Sequence, residues 1–401
     1  MQEGRKVLLS LGANYFQTTA IKAAKGLGYY VVTADYLPEN PGHRFSDKYC
    51  NVSTLDRDGV LEVARREQAD GIISYASDVS APTAAYVCEQ LGLPTNPLNT
   101  VEIMTDKRRF HAFLGERGFF APHSRILHSI TDAEDFFDEI EGDIILKPPH
   151  GSGSKGITVV RSKEDINRAF DEAMAYADKE VVAEEYIERE GFQIAGDAFV
   201  LDGKIIYFFA ANEHFDNSCN EIAPVGESFP CSLPQKKLKE VEQEVQKALS
   251  CLGFENGAVN LDIEITKKGD IFILELGPRS GGNLISDAVL YSSGVDLARK
   301  CVQVAVGDDA SEDTIKEQRG RFVSTYIWHG NRSGFFDGLV VKDGLKRHIV
   351  RSDLFVKKGE KIHRFDNGRY GIGAAIMEFD NAGEMISMMD CMNDYYCIKY
   401  R

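Results

Sequence analysis

An α/β domain followed by α+β units and a β-rich end is the fold class this 401-residue sequence predicts. Three observations carry it. Residues 5–95 alternate short apolar runs with amphipathic stretches, the pattern of a parallel sheet covered by helices. Residues 120–318 mix strand pairs on tight turns with single helices, and residues 319–401 read as short strands punctuated by glycines and charges. The chain is longer than one core usually fills, so several domains are expected.

Composition narrows the function classes. The chain is 43% hydrophobic, 27% charged and 10% aromatic, as globular proteins are. Its 62 acidic and 46 basic residues leave a formal net charge of −16. Such a surface repels nucleic-acid phosphates and anionic membranes, so neither is an expected partner. No stretch approaches the roughly 20 apolar residues of a membrane span. The run Val7-Leu8-Leu9 is too short for a signal peptide. Eight cysteines with no C-x-x-C pair argue against zinc knuckles and disulfide scaffolds. Reduced thiols and a cytoplasmic location are the expectation.

In the first unit, strands are expected at 6–10, 28–34, 49–52 and 71–75, with helices at 16–27, 57–68 and 80–91. A site should lie at the carboxyl ends of these strands, near Leu11-Gly12-Ala13 and Ala76-Ser77-Asp78. Asp78 is read as part of a helix N-cap region. The turn Gly12-Ala13-Asn14 lacks the second and third glycines of a dinucleotide fingerprint, which argues against NAD. Residues 93–97 form a linker before a capped helix at 105–114. Lys107 sits in its first turn, where the helix dipole disfavours a cation unless it reaches an anion.

The next unit contains the segment on which the functional reading centres. Residues 144–160 read as strand, glycine-rich loop and strand. Lys147 leaves the first strand, and Gly151, Ser152, Gly153, Ser154 and Gly156 follow. Glycines let successive backbone N–H groups approach an anion, and a lysine beside such a loop suggests a nucleoside triphosphate. It is not a Walker A loop, because a strand follows where that motif needs a helix. A helix at 163–177, a strand at 180–187 and a strand through 197–200 complete the unit.

Residues 204–211, 257–265 and 270–276 are expected strands, with a helix near 235–252. The segment 212–234 reads as a long polar loop carrying His214, Asp216, Asn217, Asn220 and Glu221, and long loops in compact domains tend to be functional. Asn260, Asp262 and Glu264 alternate onto one side of their strand. The turn Lys267-Lys268-Gly269-Asp270 makes the two strands antiparallel, which brings Glu275 near Asp262. Two close carboxylates repel unless a cation bridges them, and oxygen ligands suit Mg²⁺. Arg279 follows in a glycine-rich turn with Gly281 and Gly282, an anion-binding corner. In the tail, strands are expected at 321–328, 338–342, 348–356, 372–379 and 394–399. Trp328 and His329 are read there as packing residues.

Taken in order, "GLPTNP" followed by "DK" at 106–107, "ILKPPHGSGSKGITVV", "VVAEEYIE", "NLDIEI…IFILELGPRSGGN" and the β-rich tail resemble the ATP-grasp superfamily of carboxylate–amine ligases. The likeness covers most of the chain, and the tail is similar to that of biotin carboxylase, the purine-pathway carboxylate ligases and the L-amino acid ligase group. The resemblance implies an ATP-grasp fold with a pre-ATP-grasp domain at 1–95 and a linker and helix at 96–120. A small lid subdomain at 121–200, a large subdomain with the metal site at 201–318 and a β-rich part at 319–401 would follow.

It further implies that Lys107 and Lys147 contact ATP phosphates under the loop Gly151–Gly156. Glu184, Glu185, Tyr186 and Ile187 form the segment that meets the adenine. Asp262 and Glu275 hold Mg²⁺, with Mn²⁺ as a substitute. Arg279 and Lys147 act catalytically, and Arg279, Gly281, Gly282 and His214 face the substrate. The expected partners are a small carboxylate and an amine, and relatives make a homodimer an expectation.

Two positions depart from the family pattern. Gln193 stands where a glutamate commonly meets the ribose, with Glu190 as rival. Gly277 stands where E-x-N-x-R supplies an asparagine to a second metal, with Asn283 or Asn260 as substitutes. The resulting reading is ATP-dependent activation of a carboxylate as an acyl phosphate. Carboxyphosphate chemistry and a nucleotide-binding regulatory protein with degraded catalysis are its competitors.

Overall fold

Five consecutive buried residues form the first strand, Val7–Leu11. It pairs in parallel with Tyr30–Ala34 and Gly71–Ile73, and Lys48–Cys50 extends the sheet beyond Tyr30–Ala34. Burial on both faces is why these strands are continuous apolar runs. Ala20, Ile21 and Ala24 of helix Thr18–Gly26 pack on one face. Helices Arg57–Glu67 and Ala81–Leu91 pack on the other. The computed structural model describes residues 4–140, 142–149, 156–177, 179–312 and 322–401. No helix among the described residues is long and apolar enough to cross a membrane.

The connection out of this sheet holds a helix, Leu98–Thr105, that the sequence reading left within the linker. Asp106 then caps helix Lys107–Glu116, accepting from the amides of Arg108 and Arg109. A small antiparallel sheet follows, ordered Ser124–Leu127, Val181–Glu185, Ile144–Lys147 and Thr158–Val160. Helices Ile130–Glu139 and Lys163–Met174 bury Phe136, Ile166 and Phe170 against it. Ser129 and Asp132 start the first of these with a reciprocal capping box.

The larger sheet has eight strands, ordered Ile271–Gly277, Gly257–Ile265, Ile194–Leu201, Lys204–Asp216, Asn220–Phe229, Phe322–Trp328, Gly373–Phe379 and Ile349–Leu354. All its neighbours pair antiparallel. The expected division at 200/201 runs through this sheet, because Ile194–Leu201 pairs with Gly257–Ile265 and Lys204–Asp216. The division at 318/319 is also crossed, since three tail strands extend the same sheet. Strand Gly334–Val341 instead joins Lys361–Ile362 and Tyr396–Tyr400 in a three-stranded sheet.

The segment 212–234 is not a loop. It is a hairpin whose strands, Lys204–Asp216 and Asn220–Phe229, continue deep into the large sheet. Of its polar residues, His214 and Asp216 are buried, whereas Asn217 and Glu221 are exposed. Asn212 accepts from the amide and hydroxyl of Ser232. Asp216 accepts from Asn393 at 2.9 Å and lies 2.9 Å from His329 Nε2. His329 and Trp328 are both buried, the indole donating to Ser352.

Glu227 is the most demanding of these groups. It is fully enclosed, accepting from the Thr325 hydroxyl and from Asn283. Burial pushes its carboxyl up to about 7. The folded state therefore holds this proton more tightly than the unfolded chain. The associated stability is complete below the ordinary glutamate range and is lost as pH rises through 7. Glu227→Gln keeps the neutral shape. Its stability relative to the parent should rise from pH 4 to pH 8 by up to about 3 kcal/mol. Urea denaturation at both pH values measures it, and a difference independent of pH would contradict the assignment.

Candidate active site

The two antiparallel sheets face each other across a cavity of about 160 Å³. Lys147 ends the small sheet's strand Ile144–Lys147, and Glu185, Tyr186 and Ile187 leave its neighbour Val181–Glu185. From the other side come Gln193, Asp262 and Glu275, with Lys107 from the first turn of its helix. The structure thus brings together most of the side chains singled out from the sequence.

Asp262 pairs directly with Glu275 in the register of strands Gly257–Ile265 and Ile271–Gly277. A bulge follows at once, because Ile263 pairs with Ile273 and Leu274 is the extra residue. Lys107 Nζ lies 3.3 Å from Glu275 Oε2. Gln193 donates to Asp262 at 3.3 Å. Loss of water around Asp262, together with the charge on Glu275, pushes the Asp262 carboxyl up to about 7. Glu213 is buried beside them, and its Oε2 has no hydrogen-bond partner. Burial first, and then Asp262, push it well above the carboxylate range. Burial also raises the Glu264 carboxyl, against the Arg189 guanidinium 3.5 Å away.

Glu184 also lines this cavity. Its side chain is buried, with Lys147 Nζ 2.5 Å from one oxygen and His111 Nδ1 2.8 Å from the other. Burial alone would raise its carboxyl, yet Lys147 and His111 hold it well below the usual range. Lys147 is in turn lowered by burial, against which Glu184 works. The other ring nitrogen of His111 lies 2.9 Å from the carbonyl of Leu274, the bulge residue. Sequence reasoning missed His111. The signal was its spacing, one turn after Lys107 on the same helix face.

Arg279 meets Asp78, which lies in the turn between strand Gly71–Ile73 and helix Ala81–Leu91. Nε donates to one carboxylate oxygen at 2.7 Å and Nη2 to the other at 2.5 Å. Asp78 therefore does not cap helix Ala81–Leu91, whose N-cap is Ser80 without a side-chain bond. Burial would lower the guanidinium, but Asp78 raises it further above its ordinary value. Gly277 makes the arrangement fit: a Cβ there would stand 2.9 Å from Asp78 Oδ1 and 3.4 Å from Arg279 Nε.

The remaining candidates scatter. Asn283, at φ 50°, turns its amide to Glu227 and lines a different cavity from Asp262 and Glu275. Its left-handed backbone, continued at Leu284, aims the chain into the next helix. Asn260 is occupied by Gly196 O and Asp197. The amide of Gly281 donates to Asp197 at 2.8 Å, and Gly282 has open space beside it. His214 is buried against Ser228, 2.9 Å away, and is not among the residues lining the cavity. Gly156, at φ 68°, packs against Tyr176. Gly151, Ser152, Gly153 and Ser154 lie outside the described residues.

Residues 104–283 match the model of the ATP-grasp domain family. The chain thus carries an ATP-grasp domain, and its fold is the ATP-grasp fold. L-amino acid ligase from Bacillus licheniformis superposes with a TM-score of 0.84 at 20% identity, over 99% of each chain. The biotin carboxylase domain of Hydrogenobacter thermophilus 2-oxoglutarate carboxylase, solved with MgADP and bicarbonate, gives a TM-score of 0.75 at 19% identity, over 98% of this chain and 90% of that one. In sequence, the carbamoyl phosphate synthase large chain of Neisseria meningitidis serogroup B is 23% identical over 313 residues, or 76% of this chain. This chain spans only 28% of that protein's length.

The Gly277 contact generates a prediction. Gly277→Ala should cost about 1–3 kcal/mol by forcing Asp78 and Arg279 apart, and the same change in an Asp78→Ala background should cost much less. A denaturation double-mutant cycle measures the coupling, and additive costs would show that the contact does not decide the residue.

Proposed function

We propose that this protein is an ATP-dependent, ADP-forming ligase that activates a small carboxylate as an acyl phosphate and joins it to an amine. The observation that carries the reading is the meeting of Lys107, Lys147, Asp262 and Glu275 at one cavity between two sheets. In this reading Lys107 and Lys147 neutralise phosphate oxygens, and the amides of the glycine-rich segment Gly151–Gly156 serve the same anion. Glu185, Tyr186 and Ile187 border the base, and Gln193 serves the ribose in place of a carboxylate.

The donor set fits Mg²⁺. Asp262 and Glu275 are hard oxygen donors on adjacent strands, and Glu213 adds a buried oxygen without a partner. Asp262 and Glu275 would hold the ion, and Mn²⁺ suits the same oxygens. When bound, it supplies charge neutralisation at the transferring phosphoryl group.

A carboxylate is a poor electrophile, so the sequence of bonds matters. An oxygen of the substrate acid bonds to the γ-phosphorus as the bridging P–O bond breaks, and ADP leaves with that electron pair. The amine nitrogen then attacks the acyl carbon, and the C–O bond to phosphate breaks. Phosphate departs, and the nitrogen loses its proton. Arg279, fixed by Asp78 just beyond Glu275, offsets negative charge in both steps. Excluding water protects the acyl phosphate from hydrolysis.

The likeness to the biotin carboxylase domain solved with MgADP and bicarbonate supports a second reading, in which bicarbonate is the acid. Bicarbonate dependence of phosphate release separates the two. A homodimer remains part of the proposal, with sedimentation as its measure. For the nucleotide site itself, wild-type protein should bind Mg-ATP in a calorimetric titration. Glu275→Gln should weaken that binding at least tenfold and abolish phosphate release. Wild-type protein that binds no Mg-ATP would remove the ligase reading altogether.

A further inference from the structure

A second cavity, of about 540 Å³, opens where the first turn of the N-terminal sheet meets the C-terminal part of the chain. Its size falls in the roughly 300–1,000 Å³ range of small-molecule sites. Three aromatic rings form one wall. Tyr15 lies 4.5 Å from Phe355 and 5.4 Å from Phe16, centroid to centroid, and Phe16 lies 5.8 Å from Phe355. The Tyr15 hydroxyl is taken up by Asp353 and Arg351, so its ring is held in place as an apolar surface. Phe365, fully buried, adds a fourth ring.

The polar part of the lining has one sign. Arg369 is its cationic group, exposed and without an ion pair among the described residues. Arg351, nearby, is consumed by Asp287 and Asp353. No carboxylate lines the cavity among the described residues, and the remaining polar groups there are amides such as Asn283. An anion gains a partner here, whereas an ammonium group finds no countercharge. Pro224 borders both this cavity and the nucleotide-side cavity. Asn283 connects it to the turn carrying Arg279.

We infer that this cavity is the subsite for an organic substrate of one class: a monocarboxylate with an apolar body about the size of an aromatic ring. The inference rests on the ligase reading and gives its substrate a chemical class. The aromatic wall takes the body by apolar burial and ring stacking, and Arg369 takes the carboxylate. Bicarbonate has no body to fill such a space. A dicarboxylate brings a second charge that has no cationic partner there.

The test is calorimetric titration of the full chain with 3-phenylpropionate, succinate and bicarbonate, alongside a separate titration with Mg-ATP. Phe355→Ala and Arg369→Ala are the variants, both at exposed positions. 3-Phenylpropionate should bind the parent more tightly than succinate or bicarbonate. Each variant should weaken that binding at least tenfold and leave Mg-ATP affinity unchanged. Absence of 3-phenylpropionate binding, equal binding by parent and variants, or tighter binding of succinate or bicarbonate overturns the inference. Failure of the ligase reading appears separately, as loss of Mg-ATP binding in the parent.

Discussion

Two carboxylates on paired strands have to be neutralised, and much of the site's arrangement follows from that. The register of the hairpin ending at Gly277 sets Asp262 opposite Glu275, where mutual repulsion disfavours charging both. Lys107 answers part of the charge at 3.3 Å. The remainder is expressed in Asp262, whose carboxyl is held at about 7, and in the neighbouring Glu213, which burial and then Asp262 push well above the carboxylate range. Lys107 sits in the first turn of its helix, against the dipole, because its stabilising partner lies across the cavity.

The same hairpin fixes how the small sheet is held. Its bulge frees the carbonyl of Leu274, which meets His111, and His111 meets Glu184 in the small sheet. Glu184 in turn fixes Lys147. One strut therefore runs from the large sheet through a helix to the small one, and it ends at a lysine facing the cavity. Removing Glu184 leaves the buried Lys147 ammonium without the carboxylate it touches, a change that is strongly destabilising.

How much of this was legible in the sequence depends on whether the information was local. The Asp262–Glu275 pairing could be read because a short turn and strand alternation fix it. Lys107 could be read because a lysine at a helix start needs an explanation. His111 could not be placed, since its partner Glu184 lies 73 residues away in the chain. The part of the hairpin beyond residue 211 was read as a loop because polar residues on a strand look solvated until the other side of the sheet is known. Sheet membership across the 200/201 and 318/319 divisions is likewise a long-range property. Gly277 registered only as a departure from a pattern, because Asp78, the residue that explains it, belongs to another part of the chain.

That last contact has a meaning for descent. Asp78 and residue 277 share one volume, although they belong to different elements and stand far apart in sequence. A lineage carrying asparagine at the position of Gly277 has first to shorten or remove the side chain at position 78. A lineage that gains an acid at position 78 needs glycine at position 277. The two positions are therefore expected to be inherited as a pair, and the missing asparagine marks an alternative way of seating Arg279.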